Sequence, residues 1–182
     1  MGIAIGSEMS GGIQNVFIYN NTIGLCNTGS LEYGCGWGPA LHVKTTIARG
    51  GYIQNVIFHN NNVWNSSMFI LLEIGYQTNP YEFPPTSYGA TKVQNITFSS
   101  NRALGSAKSV TLHCSMYDLC HNLTIIDNFV TSTANNQNNP WNCHFIANDY
   151  IVAHNYPPGL EECLHNSTGA IAPSKPELMA TV

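Results

Sequence analysis

The chain has 182 residues, of which 9% are charged and 43% hydrophobic, and a net charge of −4. That length suits one domain with a sizeable core. So weak and negative a charge gives no basic footprint for nucleic acid, and no apolar run approaches the roughly 18–20 residues that span a bilayer.

Asn, Ser and Thr carry the polarity in place of charge. This favours stacked β-structure over a helical bundle, which would clothe its exposed faces in Glu, Lys, Arg and Ala. The opening Met1-Gly2-Ile3-Ala4-Ile5-Gly6 has no basic n-region and no long apolar h-region, so it does not read as a signal peptide. Sequons at Asn20, Asn65, Asn95, Asn122 and Asn166 nevertheless point to an oxidising, extracellular or cell-wall setting with glycosylation. Six cysteines, grouped as Cys26/Cys35, Cys114/Cys120 and Cys143/Cys163, point the same way. A chain forming the C-terminal part of a longer secreted protein reconciles these features. The cysteines are expected to pair as sequence neighbours, each pair closing a loop beside a strand end.

In chain order, a strand over residues 2–7 comes first. Asn15-Val16-Phe17-Ile18 then leads to Asn21 and Ile23, followed by a loop at 24–39. Residues 41–45 alternate as a strand, with His42 and Lys44 on one face. Gly50-Gly51 turns the chain into a strand at 52–58, where Asn55-Val56-Ile57-Phe58 leads to Asn61 and Val63. A strand at 68–74 carries Glu73, and a loop rich in Pro and Tyr follows at 77–89. Asn95-Ile96-Thr97-Phe98 leads to Asn101 and Ala103, and a strand spans 110–114. Asn122-Leu123-Thr124-Ile125 leads to Asn128 and Val130. A weaker copy, Asp149-Tyr150-Ile151-Val152, leads to Asn155 and Pro157. The copies start about 40, 40, 27 and 27 residues apart.

This spacing is too long for a leucine-rich repeat and too irregular for a propeller. Alternate strand residues face inward, and Asn tolerates the left-handed conformation a sharp corner needs. Stacked coils place like residue on like, so corner amides can bond up the stack as a ladder. The pattern predicts an all-β, right-handed, single-stranded parallel β-helix, about five coils of a longer solenoid. A β-sandwich also repeats short strands, but its Asn-Gly or Asp-Gly hairpin turns are missing. The β-helix is expected over residues 1–165, with a tail over 166–182. His113-Cys114 and Cys120-His121 resemble a zinc set. Strand neighbours point to opposite faces, however, so a disulfide is the better expectation and no metal is predicted.

Four stretches carry a resemblance to a known family: Gly2-Ile3-Ala4-Ile5-Gly6-Ser7-Glu8-Met9-Ser10-Gly11-Gly12, His42-Val43-Lys44, Arg49-Gly50-Gly51-Tyr52-Ile53-Gln54-Asn55-Val56 and Pro140-Trp141-Asn142-Cys143. In order and spacing they resemble the family 28 glycoside hydrolases, closest to the plant-type polygalacturonase branch. The resemblance reaches to about Cys163. It implies a right-handed parallel β-helix, inverting hydrolysis of galacturonan in pectin and no cofactor. It also implies an acidic polysaccharide as partner, with neither nucleic acid nor membrane, and a monomeric full-length parent. Lys44 matches the lysine of the family's Arg-Ile-Lys motif, with His42 in the arginine's place, and Tyr76 matches a substrate-binding tyrosine. These three are the expected substrate-binding residues.

The family's Asn-Thr-Asp motif and Asp-Asp pair do not occur in this chain, and Met1 stands where a Gly-His-Gly motif has its histidine. Inverting hydrolysis needs a carboxylic acid and a carboxylate roughly 6.5–9.5 Å apart. Asp118, Asp127 and Asp149 all lie far in sequence from Lys44, and Glu73 reads as an ordinary strand glutamate. The expectation is therefore a polygalacturonase-type parent whose catalytic acids this chain lacks, so that alone it is inactive. The alternative is a non-catalytic carbohydrate-binding or truncated β-helix fragment. Histidine titrates near neutral pH, so His42 is also expected to lend a pH-dependent charge to galacturonan binding between pH 5 and 7.5.

Overall fold

A computed structural model of the chain describes residues 2–6, 11–24, 38–45, 50–74, 91–106, 108–115, 119–132 and 141–167. The first coil contains β1 (Ile3–Ile5), β2 (Gly12–Tyr19) and β3 (Thr22–Ile23). β4 (Pro39–Thr45), β5 (Tyr52–His59) and β6 (Asn62–Trp64) make the second. β7 (Met68–Ile74), β8 (Lys92–Ser99) and β9 (Arg102–Ser106) make the third, and β10 (Lys108–His113), β11 (His121–Ile126) and β12 (Phe129–Ser132) the fourth. The last coil has β13 (Trp141–His144) and β14 (Ile151–Ala153) and ends in helix α1 (Leu160–Ser167).

Corresponding strands of successive coils pair in parallel. They form three sheets: β1-β4-β7-β10-β13, β14-β11-β8-β5-β2 and β12-β9-β6-β3. This is the parallel β-helix that the repeat predicts. The repeat marks two strands per coil, whereas the structure has a third, shorter one. The apolar residue two places after the second Asn belongs to it: Ile23, Val63, Ala103 and Val130 all face inward there.

Asn explains the shape of each coil. Asn15, Asn55, Asn95 and Asn122 all have φ between 51° and 59° inside their strands. One left-handed residue shifts the alternation, so Ile53, Val56 and Phe58 are all buried where strict alternation would have turned two of them outward. The turn into the third strand uses a second left-handed residue at Asn20, Asn60, Ser100, Asp127 and His154. The residue after each is the Asn whose amide is stacked. Asn21 Nδ2 donates to Asn61 Oδ1 at 2.9 Å, Asn61 to Asn101 at 2.9 Å, Asn101 to Asn128 at 3.0 Å and Asn128 to Asn155 at 3.1 Å. At the Gly50-Gly51 corner, Gly51 has φ +83° and a Cβ there would fall on the Gly11 carbonyl oxygen, so only glycine fits.

Inward-facing rows fill the stack: Leu41, Ile70 and Val110 on one sheet, and Phe58 stacked on Phe98 at 4.9 Å on the next. Each such side chain contributes roughly 1.5–3 kcal/mol by burial. Leu160 and Leu164, one helical turn apart, close the C-terminal end of this core from α1. Cys114–Cys120 and Cys143–Cys163 are disulfides, as the neighbour pairing predicts, and this rules out zinc ligation by those thiols. Cys26 and Cys35 lie outside the described residues. So does the expected tail, apart from Asn166 and Ser167, which belong to α1.

Candidate functional site

On β4 the alternation buries Leu41, Val43 and Thr45 and turns His42 and Lys44 to the outer face of the first sheet. In-register pairing carries each across the stack. Lys44 lies beside Glu73 of β7, Glu73 beside His113 of β10, and His113 beside His144 of β13. Parallel strands sit about 4.8 Å apart, so this row spans about 14 Å. The row one pleat earlier reads Ala4, His42, Leu71, Thr111 and Asn142. A cation, a carboxyl group and two imidazoles are thus brought together from four coils.

At the C-terminal end the face deepens into a concavity of about 620 Å³ between β13 and α1. Asn142 and His144 line it from the sheet, and Glu162 and Asn166 from the helix. The Cys143–Cys163 disulfide joins the two walls. Phe145, buried with φ +58°, packs its ring 6.0 Å from that of His113, and His113 and His144 lie 5.2 Å apart.

Residues 1–151 match the model of Glycosyl hydrolases family 28. No curated protein and no solved structure matches the chain. The chain belongs to glycosyl hydrolases family 28.

Within this family 28 chain, the expected site residues fare unequally. Lys44 is half-buried on the outer face, as anticipated. His42 shares that face but is only 7% exposed, and burial, followed by the charge of Lys44, pushes its pKa down to about 4. His42 is therefore neutral from pH 5 to 7.5, and the pH-dependent charge expected of it is corrected. Facing outward on a strand did not keep it in water, because its neighbours in register are the apolar Ala4 and Leu71. Tyr76 lies outside the described residues.

Burial raises the Glu73 pKa above the ordinary carboxylate value, so its proton is held to higher pH. Burial and the neighbouring His144 lower that of His113. Asp127 and Asp149 sit away from this sheet, paired with His154 at 3.2 Å and His121 at 2.9 Å. The sequons at Asn20, Asn65, Asn95, Asn122 and Asn166 are all exposed, though Asn95 spends its Nδ2 on Asn55 at 2.9 Å.

The sequence alone did not point to His113 and His144 as members of this face, nor single out Asn142 or Glu162. The signal was available in Val110-Thr111-Leu112-His113 laid on Trp141-Asn142-Cys143-His144, which places imidazole on imidazole.

Proposed function

We propose that the outer face of the first sheet is the sugar-facing surface of a polygalacturonase-type hydrolase acting on galacturonan in pectin, outside the cell. On their own, these 182 residues bind the polymer without cleaving it. The row built on Lys44 carries this reading. It offers an ammonium group to an anionic sugar, and donors and acceptors from Glu73, His113 and His144 to hydroxyl groups. Glu73 is the one carboxyl on the described strands of that face, whereas inversion needs two, roughly 6.5–9.5 Å apart. The two disulfides support an oxidising compartment, and the exposed sequons other than Asn166, which lines the cavity from α1, are its proposed glycosylation sites.

Two measurements on the purified chain test this. Oligogalacturonate is expected to bind by calorimetry, while reducing-end release from polygalacturonate stays at the level of a heat-killed control. Release above that control refutes the inactivity. Absence of binding refutes the surface itself.

A further inference from the structure

We propose that the concavity between β13 and α1 is a second sugar subsite, one that takes an uncharged pyranose rather than a uronate. This rests on reading the outer face as a carbohydrate surface, but the subsite's own residues decide its preference. At about 620 Å³ it falls within the 300–1,000 Å³ of ordinary ligand pockets. It is continuous with the row from Lys44, because His144 belongs to both. One wall, α1, lies beyond the family-matched residues 1–151, so the pocket is not built from the matched region alone.

The two ends of this face differ in charge. At one end stands the Lys44 ammonium. At the other, the side chains that reach the cavity are amides (Asn142, Asn166), an imidazole (His144) and the Glu162 carboxylate. Glu161 and Glu162 both occupy the first turn of α1. A uronate carboxylate placed there meets like charge with no lysine or arginine among the described lining residues, which costs binding. Sugar hydroxyls meet the opposite situation, since carboxylate and amide oxygens accept from O–H groups and the amide nitrogens donate.

The cavity floor is fixed by aromatic side chains that are themselves buried in the core. Trp141 and Phe145 border it, and the Trp141 indole is held by a 3.1 Å bond from its Nε1 to the Pro158 carbonyl oxygen. Gly159 lies alongside with φ +104°, and a Cβ there would come within 3.7 Å of the indole. Walls joined by a disulfide keep the cavity formed before a ligand arrives, which limits the ordering cost of binding.

Digalacturonate and α-1,4-galactobiose make the decisive pair of probes, since they differ only in carboxylate against CH₂OH. Each is titrated into the full chain at pH 7 and fixed ionic strength, with binding located by NMR. Galactobiose is expected to shift the Asn142, His144 and Asn166 side-chain signals, and the exposed substitutions His144→Ala and Asn142→Ala each to weaken it about tenfold. Digalacturonate is expected to shift Lys44 instead, to lose affinity in Lys44→Ala and to gain the pocket signals in Glu162→Gln. The proposal is overturned if galactobiose leaves the pocket signals unmoved, or if it keeps its affinity in the double variant. It is equally overturned if digalacturonate is the better pocket ligand in the native chain. Galactobiose binding at His144 with no digalacturonate binding at Lys44 sustains the subsite and sinks the galacturonan reading instead.

Discussion

Two stacks of polar side chains run along this β-helix, and they are built on opposite principles. At the corner before the third sheet the same residue recurs in each coil: Asn21, Asn61, Asn101, Asn128 and Asn155. The Asn61, Asn101 and Asn128 amides each both donate and accept, so burying these three almost completely leaves no bond unmade. On the outer face of the first sheet, each coil contributes a different residue: Lys44, Glu73, His113 and His144. Like on like gives a self-satisfying ladder that holds coils in register. Unlike on unlike gives a surface with mixed charge and hydrogen-bonding capacity. The difference teaches that repetition in a solenoid marks scaffold, and that function is sought where the repetition stops.

The strongest way to break the comparison is through the middle of the ladder. The Asn101 side chain accepts from Asn61 N and Nδ2 and donates to Asn128 Oδ1 and to the Phe58 carbonyl oxygen. Asn101→Ala strands all of these partners in the interior. At about 1–3 kcal/mol for a buried unsatisfied group, with partial relaxation, the expected loss is roughly 4 kcal/mol in denaturant unfolding. A loss under about 1 kcal/mol would mean the ladder is not what holds the coils together.

Next in size is a pH effect located on the outer face of the first sheet. Unfolded, His42 binds a proton near its ordinary 6.5, whereas folded it does so only at about 4. Between those values the unfolded chain holds more protons, so stability falls as pH drops through the window. His42 alone accounts for roughly 2–3 kcal/mol of that fall. His113, also lowered, adds to it in the same direction. Glu73 acts oppositely. Its folded pKa is raised, so its contribution is present at low pH and is lost as pH rises above the ordinary carboxylate value. Unfolding free energies at pH 7 and pH 4.5 should therefore differ by less in His42→Gln than in the native chain. Equal differences in the two proteins would return His42 to the solvent.

A smaller effect separates the buried ladder from its exposed counterpart. Asn55 donates to Asn15 Oδ1 at 3.0 Å and accepts from Asn95 at 2.9 Å, but in contact with water. Water replaces those bonds when Asn55→Ala removes the amide, leaving mainly the cost of alanine at φ 55°. About 1 kcal/mol is expected, and Asn55→Gly should recover part of it. If Asn55→Ala costs as much as Asn101→Ala, burial is not what distinguishes the two stacks.

The scaffold stack was legible in the sequence because it recurs with fixed internal offsets, and Asn advertises both the left-handed turn and the amide ladder. The third strand was less so: β3 has two residues and β6 three, too short to show a period. The row proposed to face the sugar was mostly illegible for a physical reason. Its members are unlike, and loops of different length put them 29, 40 and 31 residues apart, so only register reveals that they touch. β13 escaped notice as a strand because its four residues offer too little alternation to count. Helix α1 falls mostly in the stretch expected to continue the β-helix to residue 165, because Leu160 and Leu164 mark a single turn that is not recognised until it is seen to close the core. His42 was placed on the correct face but in the wrong medium. Alternation gives direction, and only the neighbours Ala4 and Leu71 reveal that this direction is dry.

The smallest effect on stability should come with the largest effect on binding, at Lys44. It is half-buried on the outer face, and substitutions at such positions usually stay within about 0.5 kcal/mol. Lys44→Met is therefore expected to unfold almost as the native chain does while losing about tenfold in oligogalacturonate affinity, since it keeps the aliphatic stem and discards the charge. Screening by salt should weaken native binding and leave the variant's residual binding nearly unchanged. The pH dependence assigned to His42 should instead follow Glu73. Its proton, held to higher pH by burial, leaves as pH rises, and the carboxylate then stands beside Lys44 and repels the anionic sugar. Native affinity should fall as pH rises through that titration, and Glu73→Gln should flatten the profile while His42→Gln leaves it sloped. Calorimetric titrations at matched ionic strength decide between them. A profile flattened by His42→Gln and untouched by Glu73→Gln would restore the histidine as the titrating group and remove Glu73 from the sugar's surroundings.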